Sequence, residues 1–127
     1  GRRCVPLSAF EDTRSSHNRR LAKLGQPPLH LEEMVAARLY TGPLYTKYNG
    51  VLRGNLDLTR HNLYTTTLIC INSAIIKLAH LTEAVRIYRG ISGGVLPPSF
   101  WSANEFKVKG AVDTAFISTT TNREVAM

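Results

Sequence analysis

The sequence predicts an α+β chain, a helical N-terminal half followed by strands. Two observations carry this expectation. Between residues 29 and 80, apolar side chains recur at three- and four-residue steps, which gathers them on one face of a helix. Beyond residue 84 the pattern changes. Residues 85–87 and 115–117 are short runs rich in β-branched and aromatic residues, bounded by turn formers, and read as strands. The length of 127 residues suits one small domain with a modest core. An apolar content of 43% is ordinary for a globular chain and argues against wholesale disorder.

Residues 1–28 read as a basic leader or linker without fixed structure, closing with Gly25, Gln26, Pro27 and Pro28. Arg2, Arg3, Arg14, Arg19, Arg20 and Lys23 stand there against Glu11 and Asp12, so part of the net charge of +7 is concentrated at this end. Such an arm can meet nucleic acid or another anionic partner. Only Phe10 interleaves with the charges, which favours a solvated leader over a nucleic-acid site.

The first helix is expected from Pro28 onward, with Leu31, Met34, Val35 and Leu39 on one face. Pro28 suits the first turn, where its missing N–H costs nothing. Glu32 and Glu33 complement the positive end of the helix dipole and Arg38 the negative end. Gly42-Pro43 stops it. A second helix spans 44–53, with Tyr45, Tyr48, Val51 and Leu52 at helical spacing and Gly54 as its end. A third runs over 63–80, with Leu68, Ile71, Ile75 and Leu78 inward and Thr65 to Thr67 as a weak first turn.

The first strand places Val85, Ile87 and Arg89 on one face and Arg86 and Tyr88 on the other. An arginine on an apolar strand face is costly to bury unless an anion meets it. That marks Arg89 for a ligand or a structural carboxylate. Gly93, Gly94, Pro97, Pro98 and Gly110 punctuate the loop that follows. Phe100, Trp101 and Phe106 read as hydrophobic plugs rather than stacking platforms, and Lys107 and Lys109 as loop or strand-edge charges. The second strand sets Phe116 and Ser118 on one face and Ala115 and Ile117 on the other. Thr121 with Glu124 fits a helix capping box.

Cys4 and Cys70 are too far apart in sequence for a metal pair and too few for a disulfide framework; Cys70, within an apolar run, reads as a small buried hydrophobe. His17, His30, His61 and His80 are scattered singly without metal-ligand spacing and read as surface or capping residues, so no metal is expected. No apolar run approaches a membrane span, and no signal-peptide pattern opens the stretch. The compartment stays open between cytoplasm and secretion.

An aromatic-Arg-Gly strand end (Tyr88, Arg89, Gly90), a Gly and Leu-Pro loop, and then Phe116-Ile117-Ser118-Thr119-Thr120 resemble the mono-ADP-ribosyltransferases of the arginine–serine–glutamate class. The helical segment with Tyr40-Thr41, Tyr45, Asn49 and Leu52-Arg53 is similar to the region before that family's nucleotide site, although tyrosines there are more often core, and Arg53 suits a helix C-terminus. The third place of the Ser-Thr-Ser motif is Thr120 here. The resemblance implies a mixed β core, of which 29–127 would be a partial domain carrying the first strands.

It implies NAD as substrate, with NADP left open, and a protein side chain as acceptor, arginine by extrapolation. Arg89 would fix the nucleotide and the Gly90 backbone the nicotinamide. Ser118 would orient a catalytic glutamate, with Thr119 and Thr120 bracing the cleft. That glutamate, in a Glu-x-Glu or Gln-x-Glu turn, is not in this stretch, and neither Glu105 nor Glu124 fits the pattern. The stretch alone is therefore expected to be inactive. The competing reading is a non-catalytic or degenerate binding module whose basic arm meets nucleic acid or an acidic partner.

Overall fold

Among the described residues the regular structure is four α-helices, α1 (Ser8–Lys23), α2 (Leu31–Tyr40), α3 (Tyr45–Leu52) and α4 (Thr65–Ala79), with two short 3₁₀ turns, Pro98–Phe100 and Glu124–Ala126. The structure, a computed structural model, describes residues 6–57, 62–91 and 93–126. The chain divides into two compact units, Gly1–Glu83 and Ala84–Met127. Cys4, His61, Arg2 and Arg3 lie outside the described residues.

In the first unit, α1 occupies 8–23 of the stretch 1–28 that was expected to be a leader without fixed structure; residues 1–5 lie outside the described residues. Its charges are compatible with a helix because they sit outside and partly pair. The Arg14 guanidinium donates to Glu11 Oε2 at 2.6 Å, one turn back. Gly25 ends the helix in the left-handed region at φ 65°. The Gln26 N–H reaches the Leu21 carbonyl and the Gly25 N–H that of Ala22, the paired bonds of a Schellman stop. Leu21 is the helix's buried residue and joins Leu29 and Ala74 in the core, with Met34, Leu78 and Leu81 packed around them. The Asn18 amide clasps the Leu29 backbone on both sides, donating to its carbonyl at 3.0 Å and accepting from its N–H at 2.7 Å. One side chain thus fixes α1 against the approach to α2.

Helices α2, α3 and α4 fall where the periodicity puts them, but the buried face of α2 does not. Glu33 and Ala36 are its buried residues, whereas Leu39 is 43% exposed. The shift has an electrostatic cause. Glu33 accepts from the His30 N–H at 2.8 Å and from Lys77 Nζ at 2.8 and 2.9 Å, and Ser73 Oγ donates to it as well. Lys77 Nζ also donates to the Pro28 carbonyl at 2.8 Å. A buried carboxylate is tolerated only when paired and hydrogen-bonded, so this network sets how α2 turns toward α4. On α4 the buried residues are Ile71 and Ala74, while Ile75 is 49% exposed. Tyr48 of α3 is 2% exposed and meets Tyr64 edge-on at 5.2 Å.

The second unit overturns the strand prediction. Among the described residues there is no strand and therefore no mixed β core. One isolated antiparallel bridge, Tyr88 with Thr120, is the sole β-pairing among the described residues. Short side chains compete for the backbone that a ladder would need. Asn104 Oδ1 accepts from the N–H groups of Phe106 and Val108, and Asp113 Oδ1 from that of Ala115. The Asn104 N–H donates in turn to the Val108 carbonyl, closing a local turn. Without a neighbouring sheet, Val85, Ile87 and Ile117 remain more than half exposed, and β-propensity alone does not hold a strand. The capping box expected at Thr121 and Glu124 is replaced by Asn122, whose Oδ1 accepts from the Glu124 N–H at 2.9 Å. It opens the short 3₁₀ turn Glu124–Ala126. No helix among the described residues is long and apolar enough to cross a membrane.

Candidate functional site

The Tyr88–Thr120 bridge brings the two sequence motifs together. Tyr88 N–H donates to the Thr120 carbonyl at 2.7 Å, and Thr120 N–H returns to the Tyr88 carbonyl at 2.9 Å. This mutual exchange is the hydrogen-bonded pair of an antiparallel ladder, reduced to one step. Its effect is to set Arg89 beside the Ser118–Thr120 segment, 29 residues away in sequence. Arg89 Nη1 lies 3.5 Å from the Ser118 carbonyl oxygen, a long contact that orients the guanidinium more than it binds it.

Arg89 is not on a buried strand face as expected; its side chain is exposed. Among the described residues no carboxylate pairs with it either, so the structural ion pair weighed as its alternative role is not formed there. Its planar fork remains open to an oxyanion, the group an arginine grips best.

Gly90 is crowded rather than open. A methyl group added there would overlap the Ala126 carbonyl oxygen, so only glycine fits without displacing the 3₁₀ turn. Ser118 and Thr119 are exposed; Thr120 is half-buried, and its Oγ1 accepts from the Asn122 N–H at 3.1 Å. Thr120 thus braces the segment through both its backbone and its hydroxyl. Phe116 is half-buried while Ser118 is exposed, so the two do not share an inward face as alternation suggested. Glu105 and Glu124 are exposed. Trp101 and Phe106 are 67% and 77% exposed and do not plug a core.

The helical segment that resembles the family's region before the nucleotide site is used internally. Asn49 Nδ2 donates to the Tyr40 hydroxyl at 3.3 Å, Tyr40 meets Tyr45 edge-on, and Thr41 Oγ1 returns to the Arg38 carbonyl. Arg53 is the C-cap residue of α3. These residues hold α2 and α3 together within the first unit.

Two features escaped sequence reasoning. One is the Glu33–Ser73–Lys77 network, for which a lysine within the apolar α4 was the available signal. Burial raises the Glu33 pKa, but hydrogen bonds from Lys77, Ser73 and the His30 N–H, with the Lys77 charge, outweigh it and leave the carboxyl below its ordinary value. The other is an apolar cleft of about 380 Å³ between α2 and α4. Among the described residues, no group of three or more His, Cys, Asp or Glu is placed to hold a metal ion. Comparison of the chain with protein families, curated proteins and solved structures finds no match.

Proposed function

We propose that the segment around Arg89 and Ser118 forms part of an NAD site used to transfer ADP-ribose to a protein side chain, arginine being the expected acceptor. The observation that carries the reading is the Tyr88–Thr120 bridge, which sets the Arg89 guanidinium against the Ser118–Thr120 segment. In this reading Arg89 grips a phosphate or ribose oxygen of NAD, and Ser118 orients a catalytic carboxylate. The bond between the ribose carbon and nicotinamide nitrogen breaks, and nicotinamide leaves with the bonding electron pair. Positive charge develops on the sugar, as in glycoside hydrolysis, and a nearby carboxylate stabilises it. The acceptor nitrogen then bonds to the same carbon and loses a proton.

NAD titration by saturation-transfer NMR tests the assignment. Arg89→Ala should weaken binding about 10- to 100-fold, the equivalent of one charge-assisted hydrogen bond of ~1.5–3 kcal/mol. Arg89→Lys should recover only part of that, because an ammonium does not reproduce the planar fork. Unchanged NAD affinity in both variants would remove Arg89 from the site. Incubated with NAD and an arginine-rich acceptor, this stretch alone should release no nicotinamide above background.

A further inference from the structure

The cleft between α2 and α4 lies in the first unit and is built from short side chains flanked by long ones. Helix α2 supplies one wall through Leu31, Val35 and Leu39, residues four apart along one face. The opposite wall is Thr66, Thr67 and Cys70 of α4, whose side chains are too short to reach across. Ala36, buried, forms part of the floor, and Leu7 projects over the rim at 58% exposure. Glu33 meets Ser73 and Lys77, while Leu39 shares the cleft with Thr66 and Thr67. The two helices therefore run antiparallel, and the trough runs along α2 from Leu31 to Leu39 against the first turns of α4.

Size and charge define what such a trough accepts. Its volume of about 380 Å³ falls within the range of small-molecule sites, roughly 300–1,000 Å³. From Leu31 to Leu39 the wall runs about 12 Å at the helical rise, the length of a medium alkyl chain. Among the described residues, Glu32 is the one charged residue lining the cleft. It is exposed, and no cation pairs with it among the described residues. Its neighbour Glu33, by contrast, is fully engaged by Lys77.

We propose that this cleft binds a small cationic amphiphile, its alkyl body lying along Leu31, Val35 and Leu39 and its protonated amine pairing with Glu32. The Thr66 and Thr67 end takes the far end of the chain. An anionic head group of the same length would face the Glu32 carboxylate and be repelled.

Cys70 supplies the readout, since a bound chain covers its thiol. In the chain carrying Cys4→Ser, Cys70 is the sole cysteine, and its reaction with a thiol reagent reports access to the cleft. Decylamine below its micellar concentration should slow that reaction saturably, by at least about tenfold. Decanoate should need at least about tenfold higher concentration for the same protection. Glu32→Gln, at an exposed position, should erase the preference for the amine. Thr66→Trp, which fills the trough from its rim, should abolish decylamine protection while far-UV circular dichroism stays helical. Absence of saturable protection, acceleration of the reaction by decylamine, or equal protection by decanoate would each overturn the proposal.

Discussion

Lys77→Met is the most informative single change in the helical unit. It keeps the aliphatic stem and deletes the ammonium that donates twice to Glu33 and once to the Pro28 carbonyl. The two side chains are 12% and 6% exposed, so water cannot readily replace the lost partner. Deleting one member of a buried ion pair costs about 3–5 kcal/mol. Ser73 and the His30 N–H still donate to the carboxylate, which places the expected loss near ~3 kcal/mol, a roughly hundredfold fall in the folding constant. Urea denaturation followed by far-UV circular dichroism reads this unit selectively, because all four α-helices lie within it.

The effect depends on pH in a definite direction. Glu33's folded pKa is depressed below its ordinary value. Its contribution is therefore present above the unfolded pKa and is lost as pH falls through the folded one. The penalty of Lys77→Met should be largest near neutral pH and should shrink in acid as Glu33 takes up a proton. In a double-mutant cycle, Glu33→Gln with Lys77→Met should show a coupling of more than ~1 kcal/mol at neutral pH. A penalty that stays constant as pH falls to 3, or a coupling within error of zero, would refute the claim that the pair sets the α2–α4 register.

Two further substitutions probe other contacts. Asn18→Ala strips both partners from the Leu29 backbone and should cost about 1–3 kcal/mol for each group left unsatisfied where water cannot reach it; a thermal melt measures the loss. Gly90→Ala should displace the Glu124–Ala126 turn, because its methyl would overlap the Ala126 carbonyl. Backbone NMR shifts at 123–126 should move, and an unaltered spectrum there would contradict the close approach.

The positions of α2, α3 and α4 were legible because three- and four-residue spacing, Gly42-Pro43 and Gly54 are local signals, and helix hydrogen bonds are local too. Helix α1 was legible in principle. Gly25 marks a C-terminal stop, but the high charge of residues 1–23 obscured the one buried residue, Leu21, that anchors the helix. The inward face of α2 was not legible, because an i, i+4 apolar pattern cannot anticipate a lysine 44 residues away that makes Glu33 worth burying. Nor was the cleft, which depends on which short side chains of α4 come to face α2.

By itself, the sequence determined where α2, α3 and α4 lie and where they stop, since those choices rest on neighbours a few residues apart; α1 was held by a contact with the core that local signals did not show. It also determined the order and spacing of the Arg89 and Ser118 motifs. Tertiary structure alone decided what those elements face. It closed the Glu33–Lys77 pair, drew α1 onto the core through Asn18 and Leu21, and set Arg89 beside Ser118 through one bridge. It also withheld the strands. An extended run becomes a strand only when another backbone completes its hydrogen bonds, and residues 85–87 and 115–117 find no such ladder among the described residues.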